Sequence, residues 1–383
     1  MLPAAREQWL AQSYQVGNPS SLHAQGRAAR RVVEESRERV AGALCTRPSA
    51  VVFTSGGTEA DNLAVKGLFW ARRASAGATR ILASAIEHHA VLDPVEWLAS
   101  SQGADVRWLT VDGLGRVRMN EVEALLADPV SLAVCSVMWA NNEVGTVQPV
   151  HELARLCRDA GVPFHTDAVQ ALGQLPIDLN ALGADAVTIS SHKVGGPFGV
   201  GALIADPRTP LTPVLHGGGQ EREVRSGTLD APAISAFAVA VEHAVARQAE
   251  RAVHLAGLRD DLIAGIVDLV PDAVINGDRA AGLEHRLPGN VHASFPGCEG
   301  DLLLMLMDAA GVDCSTGSAC TAGIPEPSHV LLAMGADPVL SRSSLRFSLA
   351  ETSTSADVEA ALAALPGAVA RARRAGSLAP QAR

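Results

Sequence analysis

The sequence predicts an α/β fold, with a large domain on a mostly parallel seven-stranded sheet and a smaller α+β domain after it. Three observations point there. Seven short apolar, β-rich runs each end in a polar loop, and amphipathic helical stretches fit between most of them. Past about residue 230 this alternation gives way to a long Ala-rich stretch and then to sparser strands. The 383 residues also exceed what one small core accommodates, so two domains are expected.

In chain order, residues 20–45 read as a polar, Arg/Glu-rich helix with an apolar stripe. The seven β-rich runs are Val51–Thr54, Arg80–Ala83, Val106–Leu109, Leu132–Val137, Pro163–Thr166, Ala186–Ser190 and Gly201–Ala205. Helices are expected over Glu59–Arg73, His89–Ser100, Glu121–Leu126 and Val150–Asp159. The stretch from Ala233 to about Val270 reads as one long connecting helix. Strands return near Arg286–Phe295, Val312–Ser315 and Ser344–Ser348, with helices at Gly300–Ala310, Ser328–Met334 and Ser355–Ala370. Arg373–Arg383 reads as a frayed tail. These bounds place the large domain at 16–247, and the small domain at 1–15 and 248–383.

Composition narrows the function. A net charge of -10 gives no electrostatic footprint for nucleic acid or an anionic membrane. No run reaches the length of a membrane-spanning helix, and no apolar leader follows Met1. Six cysteines in so long a chain do not make a disulfide framework, so thiols in a reducing cytoplasm are expected. Of 31 basic residues only Lys66 and Lys193 are lysines, so chemistry that needs a lysine amine has two candidates.

The polar signatures fall at strand ends, where α/β sheets bind ligands. Ser190-Ser191-His192-Lys193 runs from a strand into a Gly-rich turn and can present an amine to an aldehyde, although a surface lysine before a turn looks similar. Lys66, in AVKGLFW, reads as an ordinary helical residue. Thr54-Ser55-Gly56-Gly57-Thr58-Glu59 is a strand, a Gly turn and a helix start, which suits a phosphate and equally a plain capped helix. Asp167, 26 residues before Lys193, can pair with a pyridinium nitrogen or cap a helix, and Gln170 can reach a ring hydroxyl. Glu87-His88-His89 offers a ring to stack on a flat cofactor or a helix-start histidine; no second cluster with ligand spacing supports a metal. Asn141-Asn142-Glu143-Val144-Gly145 offers amides or is simply a turn. Cys320 lies among Ser, Thr, Gly and Ala, as an accessible thiol would, whereas Cys135 sits in an apolar run. Arg346, inside an alternating strand, calls for an anion, either a substrate carboxylate or a structural partner.

Together these segments resemble the NifS/IscS-type cysteine desulfurases, fold-type I pyridoxal-phosphate enzymes of the class-V aminotransferase superfamily. The resemblance runs from Gly17-Asn18-Pro19-Ser20-Ser21-Leu22-His23 to Phe347-Ser348, through SGGTEADN, EHHAVLDP, NNEVGTVQP, HTDAVQ, SSHKVGGP, GGGQEREVRSGT, STGSACTAG and SLRFSL in family order. It implies Lys193 as the Schiff-base lysine, Asp167 at the ring nitrogen, Gln170 and Asn142 near the ring oxygen, and His88 stacked on the ring. It implies that Gly57, Thr58, Ser190 and His192 hold cofactor and phosphate, and that Thr228 reaches the phosphate of the other subunit in a homodimer. Arg346 would take the substrate carboxylate, with Asn142 also near the substrate. Cys320 would carry the persulfide, hand sulfur to an acceptor protein for iron–sulfur or other cofactor assembly, and touch a cluster transiently as a metal ligand. Family members carry a Tyr-x-Asp-x-x-Ala-Thr-Thr segment ahead of Gly17, which this sequence lacks, and a lysine is common where Phe198 stands. Cys314 is an additional thiol, either buried or an aid to sulfur relay. The other readings are a selenocysteine lyase, a cysteine-sulfinate desulfinase or a related aminotransferase. An aminotransferase needs no thiol such as Cys320. A non-catalytic scaffold is the third class.

Overall fold

The computed structural model describes residues 1–316 and 327–378. The chain forms two compact units, Met1–Leu109 with Met119–Trp139 and Pro149–Gln248, and Thr110–Arg118 with Ala140–Gln148 and Ala249–Arg383.

In the first unit, helices α1 (Pro3–Ser13) and α2 (Ala24–Ala43) precede strand β1 (Val51–Thr54). Then come α3 (Gly57–Ala76), β2 (Arg80–Ser84), α4 (His89–Gln102), β3 (Asp105–Leu109), α5 (Met119–Leu126) and β4 (Leu132–Ser136). They are followed by α6 (Val150–Ala160), β5 (Phe164–Asp167), the single turn α7 (Leu179–Leu182), β6 (Ala186–Ser190), β7 (Gly201–Ala205) and α8 (Ala231–Ala246). The sheet order is β1-β7-β6-β5-β4-β2-β3. β7 runs antiparallel to both neighbours, and the other pairings are parallel. Every residue of β1, β4, β5, β6 and β7 is buried, which is why β1, β4, β6 and β7 read as mostly apolar runs rather than alternating ones, while β5 buries His165, Thr166 and Asp167. Helix α3 packs across β4, β5, β6 and β7 and adds Leu63, Ala64 and Leu68 to the core.

A buried ion pair ties the start of this unit to its sheet. The Arg37 guanidinium donates to both oxygens of Glu221, at 2.9 and 2.6 Å, and to the Val51 carbonyl at 2.6 Å. Glu221 also accepts from the Phe53 amide at 2.8 Å. Arg37 is 4% exposed and Glu221 1%, so neither charge has water to fall back on. Glu221→Ala leaves the buried cation with only the half-exposed Glu34, 3.2 Å from its Nε, as an anionic partner. We expect a loss of about 3–5 kcal/mol of stability in urea unfolding, the cost of breaking such a pair from one side. A loss below about 1 kcal/mol, the range of exposed pairs, would show that Glu34 or water takes over the Arg37 charge.

The second unit holds α9 (Gln248–Leu269), β8 (Val274–Ile275), β9 (Asn290–Ser294), α10 (Gly300–Asp308), α11 (His329–Ala333), α12 (Pro338–Arg342), β10 (Ser344–Ser348) and α13 (Ser355–Leu378). Its antiparallel sheet, ordered β10-β9-β8, meets a core of Leu262, Ile266, Val291, Phe295, Leu303, Leu345, Phe347 and Leu365.

Several expectations need correction. Residues 1–15 belong with the first unit, because α1 packs on α8 and the Leu2 amide donates to the Gly195 carbonyl at 2.7 Å. Two excursions from within the expected large domain, 110–118 and 140–148, belong with the second. Gln148 joins them, accepting from the Val117 amide at 2.9 Å and donating to the Gly115 carbonyl at 2.6 Å. The long connector is two helices, broken at Arg247. Val312–Ser315 makes only an isolated bridge, Ser315 to Arg346, and α13 carries the expected tail onward to Leu378.

Candidate active site

The parallel strands of the first unit end on one side of the sheet, and the signatures around Glu87, Asp167 and Ser190 follow those ends. Thr54, Gly201 and Ser190 stand opposite one another at the ends of β1, β7 and β6. A Cβ on Gly201 would lie 2.7 Å from the Gly56 carbonyl carbon, so glycine lets the turn after β1 settle against β7. Gly57 opens α3, and a Cβ there would meet Val169 at 3.1 Å and Ser190 at 3.4 Å. Thr58 is exposed at the helix start. The turn is fixed by Glu59, which accepts from the Ser55 amide at 2.8 Å and pairs with Arg225 at 2.7 Å.

After β6 a single 3-10 turn, Ser191–Val194, leaves His192 and Lys193 exposed. Ser190 Oγ lies 2.9 Å from His192 Nδ1. The other lysine is committed elsewhere: Lys66 Nζ sits 4.6 Å over the Trp97 ring.

Asp167 ends β5. It is 6% exposed, and its Oδ1 accepts from the Val169 amide at 2.8 Å. Burial pushes its carboxyl up to about 8, and the charge of Asp61 adds to this. The Val169 amide, His165 and the Lys193 ammonium pull the other way. Burial also pushes Asp61 up to about 8 and holds Glu87 well above the usual carboxylate range. His165 is pushed down to about 4 by burial.

His88 is half-buried and caps α4, its Nδ1 accepting from the Ala90 amide at 3.1 Å. Gln170 is half-buried beyond Asp167. Thr228 is exposed and lines an open cleft with Tyr14, Asn18 and Gln25.

In the second unit Arg346 lies on β10 and donates through Nη1 to the Asn142 carbonyl at 3.1 Å. Its Nε is buried with no hydrogen-bond partner. The contact is with the main chain of Asn142, and the neighbouring Asn141 Oδ1 accepts from the Glu143 and Val144 amides at 2.9 Å each. Cys320 lies outside the described residues, in 317–326. Cys314 is half-buried, and burial with the charges of Asp313 and Asp308 pushes its thiol up to about 11. Among the described residues, no group of three His, Cys, Asp or Glu side chains could hold a metal ion.

The aminotransferase class-V family matches residues 4–361. An IscS-like cysteine desulfurase from Mycobacterium tuberculosis is 52% identical over 98% of this chain and 95% of its own length. The chain belongs to the class-V aminotransferases, in their NifS/IscS-type cysteine desulfurase branch. A cysteine desulfurase IscS from Methanosarcina thermophila is 40% identical over 95% of this chain and 88% of its own. A solved NifS-like protein superposes with a TM-score of 0.88 at 34% identity, covering 97% of this chain and 96% of that one. The fold is accordingly fold-type I.

Class-V membership implies pyridoxal phosphate, and the residues fit it. Around Asp167 the buried carboxyls outnumber the cations that act on them, a charge balance that a protonated ring nitrogen would meet. The turn before α3 offers backbone amides at the start of a 20-residue helix, as a phosphate requires.

The sequence reading passed over Asp61, His165 and Glu87, although all three lie inside the quoted motifs. A helical-face argument would have found Asp61, four residues after Gly57 and so on the same buried face of α3. Likewise His165 precedes Asp167 by two and shares its face of β5.

Proposed function

We propose that this chain converts L-cysteine to L-alanine on pyridoxal phosphate and leaves the sulfur as a persulfide on Cys320. One observation carries the reading: the exposed lysine of a lysine-poor chain stands on the turn after β6, where its charge acts on the buried Asp167. The 52% identity to a named cysteine desulfurase supports the choice of reaction.

When bound, the cofactor supplies an electron sink for carbanion chemistry at the substrate Cα. Lys193 would anchor it, and its amine would move protons at the substrate. Asp167, as carboxylate, keeps the ring nitrogen protonated. Ser190, His192, Gly57 and Thr58 hold the phosphate side, while His88, Gln170 and Asn142 orient the ring. Arg346 grips the substrate carboxylate, the anion its buried Nε lacks. The Cys320 thiolate attacks the substrate sulfur: an S–S bond forms, the C–S bond breaks, and the carbon collects a proton to become alanine. No external oxidant or reductant enters. The persulfide then passes to an acceptor protein for iron–sulfur or other sulfur-containing cofactor assembly, with Cys320 as a transient cluster ligand. Thr228, exposed on its own unit, serves a second copy in a homodimer. A cytoplasmic setting suits free thiols, and no described helix is long and apolar enough to cross a membrane.

Purified protein given L-cysteine should yield alanine and, with a reductant, sulfide in equal amounts. Pyruvate or transaminated products instead would move it to another class-V reaction. Asp167→Ala should retain much of the cofactor yet lose roughly 10²–10⁴-fold in kcat, the scale of a removed electrostatic or proton-transfer group. Wild-type turnover in that variant would leave Asp167 as a turn cap only.

A further inference from the structure

A cleft of about 320 Å³ in the second unit plays no part in the reaction as proposed. One wall is a face of α9, where Arg259, Ile263 and Val267 recur every four residues and so lie in one stripe. The other wall is the chain between β8 and β9, which contributes Arg279 and Arg286. Among the described residues, Asp260 is the one carboxylate that lines it. Three guanidinium groups against one carboxylate run counter to the net charge of -10 on the whole chain.

Each arginine is held differently. Arg286 is 1% exposed. Its Nε donates to the Asn290 carbonyl at 3.1 Å, and its Nη1 to the carbonyls of Asn276 and Asp278 at 2.9 and 3.3 Å. Its Nη2 is buried with no hydrogen-bond partner. Main-chain carbonyls satisfy donors but carry no charge to cancel the guanidinium. The Asp278 carboxylate is taken by Arg116 at 2.9 Å. Arg259 is buried and pairs through Nη2 with Asp260 at 2.8 Å, but the Asp260 side chain is 65% exposed, so water shares that carboxylate. Arg279 is exposed, and among the described residues no ion pair joins it or Arg286 to a carboxylate. Burial and the charges of Arg259 and Arg279 pull Arg286 down to about 10, against the opposing pull of Asp278 and Asp260.

A buried cation needs a counter-charge, either a carboxylate of the chain or an anion from outside. Here the chain supplies one exposed carboxylate to three cations. We propose that this cleft binds the phosphate or carboxylate group of a small molecule through Arg259, Arg279 and Arg286. Planar guanidinium groups offer paired N–H donors that match two oxygens on one phosphorus or carbon. Ile263 and Val267 give the cleft an apolar wall, against which a small organic body can rest behind its anionic group. Asp260 competes with that group for Arg259, so it weakens the site rather than building it. The inference does not depend on the reaction proposed for the chain.

The test is isothermal titration calorimetry with inorganic phosphate and, separately, citrate, at constant ionic strength in chloride. The protein is first loaded with pyridoxal phosphate and freed of excess, so that the cofactor's own phosphate cradle is filled. At least one of the two anions should bind saturably at one site per chain; phosphate alone points to a phosphorylated ligand, citrate alone to a carboxylate. Arg279→Gln should weaken that binding by at least about tenfold, the scale of one lost charge-assisted hydrogen bond. Asp260→Asn should tighten it, because the competing carboxylate is gone. Both side chains are exposed, so neither change disturbs the core. No saturable binding of either anion with a Kd below roughly 10 mM overturns the inference. So does an affinity that is the same in the wild type and in both variants.

Discussion

Cys320→Ala should bind cofactor and cysteine, shift the cofactor spectrum when cysteine is added, and release neither alanine nor sulfide above about one-thousandth of the wild-type rate. In the proposed reaction, binding and proton transfer use Lys193 and Asp167 but no thiol, whereas sulfur transfer needs a thiolate that can reach the substrate and leave. No other described cysteine can stand in. Cys135 and Cys157 are 0% exposed, and Cys298 is 6% exposed with its thiol pushed up by burial. Cys314 is held as a thiol at about 11, which argues against its relaying sulfur. Cys45 is exposed, but it lines a cleft with Pro163 and Asp185, where β5 and β6 begin, at the opposite end of the strands from Lys193. A persulfide-specific label followed by peptide mapping decides the matter. A label on another peptide, together with an active Cys320→Ala enzyme, would end the desulfurase reading at this position.

The second large effect is at Lys193. Lys193→Ala purified without added cofactor should lack the visible absorption of a lysine-bound cofactor, and turnover should fall by at least about 10³-fold, the anchoring amine and a proton carrier going together. Lys66 offers no rescue, because its ammonium lies over Trp97 and its side chain leaves mid-helix from α3. An intact band in this variant would transfer the anchoring role to Lys66 and dissolve the site as drawn.

What the sequence made legible follows from burial. Strands buried on both faces are mostly apolar, so VVFT, LAVCS, AVTIS and GALIA announce themselves without an alternating pattern, whereas the equally buried FHTD of β5 does not. Helix α1 has no apolar stripe to reveal it; one buried residue, Ala5, marks its packing face. The break at Arg247 carries neither Gly nor Pro, so nothing local separates α8 from α9. β8 is two residues long, below what periodicity can detect. At the candidate site, residue types at strand ends were readable from order alone. Partnerships were not: that Asn142 serves Arg346 through its carbonyl, or that Glu59 meets Arg225, depends on segments 204 and 166 residues apart.

The pinned turn at Glu221 has one more consequence. Residues 217–227 contain four glycines, a composition that in isolation belongs to a slack tether. Here the run is moored twice within five residues, by Glu221 to Arg37 and by Arg225 to Glu59, and closed on itself where the Glu221 amide meets the Arg225 carbonyl at 2.9 Å. The disorder such a segment would otherwise surrender each time it gripped an anion is surrendered once, as the chain folds. The position of the neighbouring Thr228, for which we propose a phosphate contact, is thus set in advance, and on that proposal loosening either mooring would appear as faster ligand escape rather than as a change in what is recognised.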